Sequence, residues 1–272
     1  MNLHPKKNYS QNFLINKGII EKIIEAGDLS NKDTILEIGP GKGALTEALI
    51  KQTKKVIAVE KDNDLYDFLL DKFKDIKNLE LINQDILKLD IKEYIPTLDY
   101  KLIANIPYNI TGKIFRKFLL SDESPSMIII MVQYEVGDRL LGKDKSILSL
   151  MAELYGSVER ICKVSAGSFY PMPKVDSAVI KLTSHSVIFA KAEISLEKKK
   201  QVLELIKIGF SKRRKKLISN LFKKVKHIST GEEMNKNNIE KLFKDIGLKE
   251  NVRAEELSLI DWLKLAEVMV KK

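Results

Sequence analysis

The sequence predicts an α/β protein in which a parallel sheet, covered by helices on both faces, is followed by a smaller all-helical region. Between residues 34 and 133, short apolar runs alternate with segments whose apolar residues recur every three or four positions, a pattern typical of strands alternating with amphipathic helices. Beyond residue 187 only helical patterns occur. We therefore expect two domains, at residues 1–187 and 188–272.

Five runs in the first region have the composition of strands that are buried on both faces. Each is nearly continuous in apolar residues, which is typical of a parallel sheet. The five runs are 34–39, 55–60, 79–85, 100–106 and 127–133. Helical patterns at 44–52 and 65–73 lie between the first three runs. Ligands of such folds bind at the carboxyl ends of the strands, where the polar residues of this sequence fall.

The pattern changes after residue 133. Helical patterns at 135–142 and 147–156 are followed by two strand-like runs, at 159–167 and 177–185, which we expect to pair antiparallel at an edge of the sheet. The remaining helical patterns are 196–210, 212–226, 236–246 and 255–270. They make up the second predicted domain.

Composition narrows the class of protein. With 44% hydrophobic residues, 272 residues are enough for a sizeable core. The single cysteine, Cys162, excludes an intramolecular disulfide and favours a reducing compartment. The longest apolar run, 127–132, is too short to span a membrane and no signal-peptide pattern is visible, so we expect a cytoplasmic protein. Three scattered histidines argue against a zinc site, and nothing demands more than a monomer.

The charge of the chain is unevenly distributed. The net charge is +10, and residues 190–272 carry 21 Lys and Arg against 12 Asp and Glu, which places +9 in that region. A basic region of this kind favours an anionic partner, nucleic acid first and a membrane surface second.

A glycine-rich turn follows the first predicted strand. Gly39, Gly41 and Gly43 are spaced G-x-G-x-G, which is neither the G-x-G-x-x-G dinucleotide fingerprint nor a phosphate-binding P-loop. Glycines let a ligand approach the backbone closely. Taken alone, the turn is equally compatible with a structural role.

Two acidic residues strengthen the case for a ligand. Glu60 ends the second predicted strand, where a carboxylate can accept hydrogen bonds from a ribose diol. Asp85 ends the third, where it can accept a hydrogen bond from an adenine amine. Three successive strand ends thus supply the parts of a nucleoside site. Because the NAD fingerprint is absent, S-adenosylmethionine is the better candidate cofactor.

A stiff polar turn, Asn105-Ile106-Pro107-Tyr108, follows the fourth run. Proline has no amide hydrogen and pushes its predecessor into an extended conformation, so the strand should end here. The side-chain carbonyl of Asn105 and the backbone carbonyl of Ile106 can accept the two hydrogens of an adenine N6 amine, which exposes the nitrogen lone pair. Tyr108 offers a face on which a base can stack.

Seven motifs occur in order along nearly the whole chain. They are QNFL (11–14), EIGPGKGALT (37–46), NIPYNIT (105–111), VQYEVGDRL (132–140), FYPMPKVDSAVIKL (169–182), FSKRRKKL (210–217) and RAEELS (253–258). Together they resemble the ribosomal RNA adenine dimethyltransferases. The resemblance implies a Rossmann-like S-adenosylmethionine-dependent methyltransferase sheet, a helical RNA-binding domain, and transfer of two methyl groups to each target adenine.

The resemblance also assigns roles to single residues. Asn12 and Leu14 resemble the lid that covers the cofactor. Phe169 matches the aromatic residue expected opposite Tyr108, so that the base lies between two rings; core packing is the alternative for Phe169. The matches to the remaining cofactor contacts, in and after the glycine turn, are Gly39, Gly41, Glu60, Asp85 and Asn105.

Two positions depart from the family pattern. Ser10 stands where Gly is usual before QNFL, and Gly112 stands where Ser or Thr is usual after Thr111. Both departures concern local loop geometry and not the reaction.

The C-terminal motifs favour one branch of this family. The housekeeping branch dimethylates two adjacent adenosines near the 3′ end of small-subunit (16S) ribosomal RNA in the assembling 30S subunit, whereas the antibiotic-resistance branch modifies one adenosine of large-subunit RNA. PKVDSAVIKL, SKRRKKL and RAEELS resemble the housekeeping branch. Two rivals are a non-catalytic assembly factor and a DNA adenine methyltransferase that shares N-x-P-Y.

A run of five cations is the candidate RNA contact. It comprises Lys212, Arg213, Arg214, Lys215 and Lys216. On a helix these side chains would point nearly all round, so some must face a partner or acidic residues; a solvated face is the alternative. We expect phosphate contacts with strong salt dependence, to which Lys6 and Lys7 add at the rim of the active site.

Overall fold

The computed structural model describes residues 11–119, 121–185, 194–212, 214–224 and 236–269. These residues form two compact units. The first contains the described residues up to Leu141 and those from Tyr155 to 185, and the second contains Gly142–Leu154 and those from 194 onward. Gly142–Leu154 therefore belongs to the second unit, although the sequence predicts a single boundary after residue 187.

The elements of the first unit alternate as the sequence predicts. The strands are β1 (Phe13–Leu14), β2 (Thr34–Ile38), β3 (Lys55–Glu60), β4 (Leu79–Asn83), β5 (Lys101–Asn105), β6 (Met127–Gln133), β7 (Gly156–Val164), β8 (Phe169–Tyr170) and β9 (Ser177–Ser184). The helices are α1 (Lys17–Ala26), α2 (Ala44–Leu49), α3 (Asn63–Lys72), α4 (Thr111–Leu119) and α5 (Tyr134–Leu140).

One large sheet organises this unit. Its strands follow the order β4-β3-β2-β5-β6-β9-β7, and β1 and β8 form a separate two-stranded antiparallel sheet. The strands from β2 to β6 pair in parallel, and β9 is antiparallel to both β6 and β7. The predicted parallel sheet with an antiparallel pair at one edge is thus confirmed.

Strand register brings the polar strand ends together. Ile38, at the end of β2, pairs with Val59 of β3 and with Ala104 of β5. The next residues along these three strands are Gly39, Glu60 and Asn105. They leave the sheet side by side at its carboxyl edge, which is where parallel α/β sheets bind ligands.

Two of the helices, α1 and α4, were not among the elements predicted from the sequence. The helix α1 begins after Asn16, whose side chain accepts a hydrogen bond from the Ile19 N–H at 3.3 Å, as helix N-caps do. Four isoleucines of this helix are buried: Ile19, Ile20, Ile23 and Ile24. Their spacing is helical, so the sequence did carry the signal for α1.

The second unit is helical, as predicted. Its helices are α6 (Ile147–Tyr155, whose last residue falls in the first unit), α7 (Leu196–Gly209), α8 (Leu217–Lys224), α9 (Lys236–Asp245) and α10 (Leu259–Met269). Their apolar faces meet around the fully buried Trp262, which stacks on Phe210 with ring centroids 6.3 Å apart. No helix within the described ranges is long and apolar enough to cross a membrane.

Candidate active site

A cavity of about 310 Å³ opens at the carboxyl edge of the parallel strands. The residues that the sequence assigned to cofactor and base meet in it, with one exception described below. The predicted residues that line the cavity are Asn12, Leu14, Gly39, Gly41, Glu60, Asp85, Asn105, Pro107 and Tyr108. The backbone of three strand ends and the lid segment therefore enclose one site.

The glycine turn forms the wall next to β2. Gly39 and Gly41 have φ angles of 67° and 59°, in the left-handed region that side chains disfavour. A Cβ atom on Gly41 would lie 2.9 Å from Cδ1 of Phe13, so the lid ring rests directly on this turn. At Gly41, only glycine leaves room for the Phe13 ring to approach the backbone.

Glu60 connects the glycine turn to β3. Its Oε2 accepts a hydrogen bond from the Gly41 N–H (3.3 Å) and its Oε1 accepts one from the Asp62 N–H (2.9 Å). Burial raises the pKa of Glu60, and these backbone donors partly offset the rise. The Lys61 backbone N–H also favours the ionised carboxylate. A carboxylate has about four lone-pair positions, so it can still accept a hydrogen bond from a ribose hydroxyl.

Asp85 lies at the far side of the cavity. Lys61 Nζ donates to its Oδ2 at 2.9 Å, and the Leu87 N–H donates to its Oδ1 at 3.0 Å. Burial alone would raise the pKa of Asp85, but these hydrogen bonds outweigh it and hold the pKa below its usual value. Asp85 is thus a fixed anionic acceptor at the end of the third strand of the parallel series.

Two hydrogen bonds join residues 11 and 12, in the segment that resembles a cofactor lid, to the rest of the site. Gln11 Nε2 donates to Asp62 Oδ2 at 2.9 Å, and the Asn12 carbonyl oxygen accepts a hydrogen bond from Asn105 Nδ2 at 3.2 Å. A carbonyl can only accept, so this contact fixes which end of the Asn105 amide is the NH₂ group. The Oδ1 atom is then the end that can accept from a substrate amine.

Tyr108 is held by a residue that the sequence analysis missed. After Pro107, residues Tyr108–Ile110 form a short 3₁₀ turn, and the Tyr108 hydroxyl lies 2.6 Å from Oγ of Ser177. Ser177 begins β9 and is fully buried. Burial raises the pKa of Tyr108, against the effect of the Ser177 bond. A serine some 70 positions away gives no local sequence signal for this role.

Phe169 is the exception among the predicted site residues. It is 3% exposed, packs in the core cluster with Val179 and Met131, and is not among the residues that line the cavity in the described structure. In β8 it pairs with Leu14 of the lid. Its stacking role therefore stays a prediction from the resemblance.

Glu37 is a second residue that the sequence analysis left without a role. It lies in β2, lines the cavity and is 1% exposed. Burial raises the pKa of Glu37 to about 8, and the charge of Glu60 adds to this, while the Thr46 hydroxyl acts against it. The sequence signal that could have revealed Glu37 is its position as an acidic residue in an otherwise apolar predicted strand.

The described residues of the basic run are not α-helical. Phe210–Lys212 is a 3₁₀ turn and α8 begins at Leu217, so the predicted helix at 212–226 starts too early. Lys212, Arg214, Lys215 and Lys216 are exposed, and Arg213 lies outside the described residues, as do Lys6, Lys7 and Ser10. The buried Asn220 amide donates to the carbonyls of Gly209 and Lys212 at 2.6 and 3.1 Å, which fixes the turn that carries the cations.

The residues of the cavity fit an adenosyl cofactor. The left-handed glycines leave the backbone open, Glu60 and Asp85 are acceptors at two strand ends, and the lid ring covers the turn. In the described part of the chain, no group of three or more His, Cys, Asp or Glu side chains has an arrangement that would hold a metal ion.

Comparison with known proteins places these features in context. The family model "Ribosomal RNA adenine dimethylase" matches residues 2–271. A protein of Dehalococcoides mccartyi named Ribosomal RNA small subunit methyltransferase A is 38% identical over 266 residues, which cover 97% of this chain and 88% of that protein. A Fusobacterium nucleatum protein of the same name is 37% identical and covers 98% of each chain.

A solved structure agrees with these matches. The crystal structure of a dimethyladenosine transferase from Plasmodium falciparum superposes with a TM-score of 0.78 at 27% identity and covers 93% of this chain and 95% of that one. This chain and that dimethyladenosine transferase therefore share their fold over nearly their whole length.

Proposed function

Because the chain belongs to the ribosomal RNA adenine dimethylase family, we propose that it dimethylates the N6 amines of two adjacent adenosines near the 3′ end of small-subunit ribosomal RNA, with S-adenosylmethionine as the methyl donor. The relatives named for the small subunit support the choice of RNA. The assembling 30S subunit is the proposed partner, and the cytoplasmic location and monomeric state expected from the sequence stay predictions.

The observation that carries the reaction is the orientation of Asn105. Its Nδ2 donates to the Asn12 carbonyl, and the residue lines the cavity beside Pro107 and Tyr108. Because the NH₂ end of the amide is used in that hydrogen bond, Oδ1 is left to accept a hydrogen bond from the substrate amine. A neutral amide costs less to desolvate than a carboxylate, so an asparagine suits a partly closed site that must bind a neutral base.

The turn acts on the target amine through two acceptors. Before the first transfer, Asn105 Oδ1 and the Ile106 carbonyl accept the two N6 hydrogens, which draws the nitrogen toward a tetrahedral geometry and exposes its lone pair. Before the second transfer, one of these acceptors holds the single N–H that remains. Tyr108 supplies the face on which the base stacks, a contact worth about 1–3 kcal/mol. The proton can leave after methyl transfer, so no strong base is required. The increase in rate comes mainly from aligning the target amine with the methyl group that it attacks.

The remaining cavity residues hold the cofactor. Bound S-adenosylmethionine supplies an electrophilic methyl group. Glu60 accepts from its ribose, Asp85 accepts from its adenine amine, and the Gly39–Gly41 backbone allows its close approach. The lid residues Asn12 and Leu14 exclude water from the reacting atoms, while target bases in a helix must first be flipped out of their stack.

The exposed basic turn in the second unit supports RNA as the macromolecular partner. None of its described cations, at 212 and 214–216, forms an ion pair with another described residue. Such cations release counterions when they meet phosphates, which favours binding and makes it sensitive to salt.

The test of this function is methyl transfer from labelled S-adenosylmethionine to small ribosomal subunits that lack the modification, with naked large-subunit RNA in parallel. We expect N6,N6-dimethyladenosine on the small subunit alone after digestion to nucleosides. Product on the large-subunit RNA would make the protein a resistance-type enzyme. Binding to the subunit without product would favour the non-catalytic assembly factor.

A further inference from the structure

The two-stranded ribbon formed by β1 and β8 has two different faces. Phe13 pairs with Tyr170, and Leu14 pairs with Phe169. Residues directly opposite in an antiparallel pair point to the same side of it. Leu14 and Phe169, at 5% and 3% exposed, join the core cluster of the sheet. Phe13 and Tyr170 therefore belong to the other face.

That other face borders the cavity. The Phe13 ring lines the cavity and rests on Gly41, and Lys42 Nζ lies 5.2 Å from the ring centroid. Tyr170, directly across the ribbon, is 60% exposed, and Met172 just beyond it is 70% exposed. An exposed tyrosine alone needs no ligand, but this one pairs with a residue that lines the cavity of the proposed base site.

We propose that Tyr170 is a stacking platform for the base that adjoins the target adenosine in the RNA strand. This rests on the proposed function. Flipping a base out breaks its stacking with its neighbours, and an aromatic ring beside the site replaces part of that lost contact. Every base has a π-face, so such a platform accepts its neighbour without reading the sequence.

Charge favours a nucleotide over an apolar protein segment as the occupant. Lys42 Nζ lies 5.2 Å from the Phe13 ring centroid and Lys113 lines the same cavity, so two cations that can meet phosphates accompany the carboxylates Glu60 and Asp85 there. Aromatic rings interleaved with lysines are the usual combination in sites for single-stranded nucleic acid. The phosphates on either side of the stacked base would face these lysines.

The inference is tested with a synthetic hairpin RNA whose loop carries the two adjacent adenosines and the fluorescent base 2-aminopurine immediately before or after them. Stacking on a ring quenches 2-aminopurine. We compare the wild-type protein with Tyr170→Leu, which keeps apolar bulk but removes the ring, and with Tyr170→Phe, which keeps the ring. Tyr170 is 60% exposed, so the variants should unfold near the wild-type temperature.

At one of the two positions, we expect the saturated complexes of the wild-type protein and Tyr170→Phe to be dimmer than the complex of Tyr170→Leu, which should also bind the hairpin at least about fivefold more weakly. Affinity for S-adenosylmethionine should stay unchanged in all three. Equal quenching by Tyr170→Leu and wild type at both positions would overturn the inference, as would an equal loss in Tyr170→Phe, which would point to the hydroxyl.

The two proposals fail in different ways. Wild-type protein that binds and quenches the hairpin without methylating ribosomal subunits would overturn the proposed function, and the quenching comparison would still decide the role of Tyr170. Methylation by the wild-type protein, with no dependence of quenching or RNA affinity on the ring of Tyr170, would overturn this inference alone.

Discussion

The side-chain amide of Asn105 donates a hydrogen bond to the backbone carbonyl of Asn12 at 3.2 Å, across 93 positions of sequence. The lid and the turn at the end of β5 are thereby joined through the residue proposed to act on the substrate amine. The segment proposed to cover the cofactor and the residue proposed to accept from the substrate amine are therefore in direct contact.

Replacing Gly41 by alanine should damage the site from the cofactor side. The residue has a φ of 59°, which costs other residues about 1–2 kcal/mol, and the new Cβ would press on the Phe13 ring. We expect a loss of about 1–2 kcal/mol in the free energy of unfolding by urea, together with weaker binding of S-adenosylmethionine.

Gly112→Ala is the matched control for that change. Gly112 lies in α4, and a Cβ there meets no atom within 4 Å. Alanine is more favourable than glycine in a helix interior by about 0.5–1 kcal/mol and by less in the first turn, where Gly112 lies, so this variant should keep or slightly gain stability and bind the cofactor normally. Unchanged stability and cofactor binding in Gly41→Ala would contradict the described turn.

The contact between Tyr108 and Ser177 should affect rate more than cofactor affinity. We expect Ser177→Ala to lower kcat about three- to tenfold, the equivalent of one hydrogen bond of about 1 kcal/mol, because the ring loses its anchor. Tyr108→Phe should do the same. The double variant should be no worse than either single one, since both remove one bond. Additive losses would show that Ser177 acts elsewhere.

The buried Glu37 makes stability depend on pH. Its pKa of about 8 lies above the ordinary value of 4.5, so between these values the folded protein keeps a proton that the unfolded chain has lost. Stability therefore falls as the pH rises through this window, by about 1.4 kcal/mol per unit, and levels off above the folded pKa.

Glu37→Gln removes this group, because glutamine is neutral throughout. Measured by urea unfolding at pH 5 and pH 7, the wild-type protein should lose about 2–3 kcal/mol more than the variant. Glu60 is present in both proteins, so its own raised pKa largely cancels in the difference. If the free energy of unfolding changes equally with pH in the wild-type protein and in Glu37→Gln, Glu37 is ionised in the folded protein.

The basic turn should account for part of the salt dependence of RNA binding. Changing both Lys215 and Lys216 to glutamine should flatten the slope of log K against log salt by about 1 for each lost phosphate contact. Lys241 and Lys249, also exposed in the second unit, give a control pair with the same change of charge. If the two double variants show equal slopes of log K against log salt, the basic turn does not contact the RNA phosphates.

Most of the fold was predictable from the sequence because its signals are local. The strand runs and the glycine turn each carry their own pattern, and the order of strand ends brought Gly39, Glu60 and Asn105 to one edge. The start of α8 was misjudged, because a run of cations suits a helix by propensity, whereas the helix begins only at Leu217 and the Asn220 amide binds the carbonyls of Gly209 and Lys212 in the preceding turn.

What the sequence did not reveal depends on contacts between distant segments. Ser177 reaches Tyr108 only because β9 inserts beside β6 in the sheet, and Tyr170 meets Phe13 only through the β1–β8 pairing. Neither contact leaves a local pattern. The resemblance drew attention to Phe169, while the structure leaves its neighbour Tyr170 as the exposed ring.

The most direct test of the central claim compares wild-type protein with Asn105→Ala and Asn105→Asp in methyl transfer to unmodified small subunits, scored as N6,N6-dimethyladenosine. The aspartate has the same shape but cannot donate to the Asn12 carbonyl. We predict that wild type yields the dimethylated product and that both variants are at least about 100-fold slower while still binding the subunit. A near-wild-type rate in either variant would contradict the role assigned to Asn105.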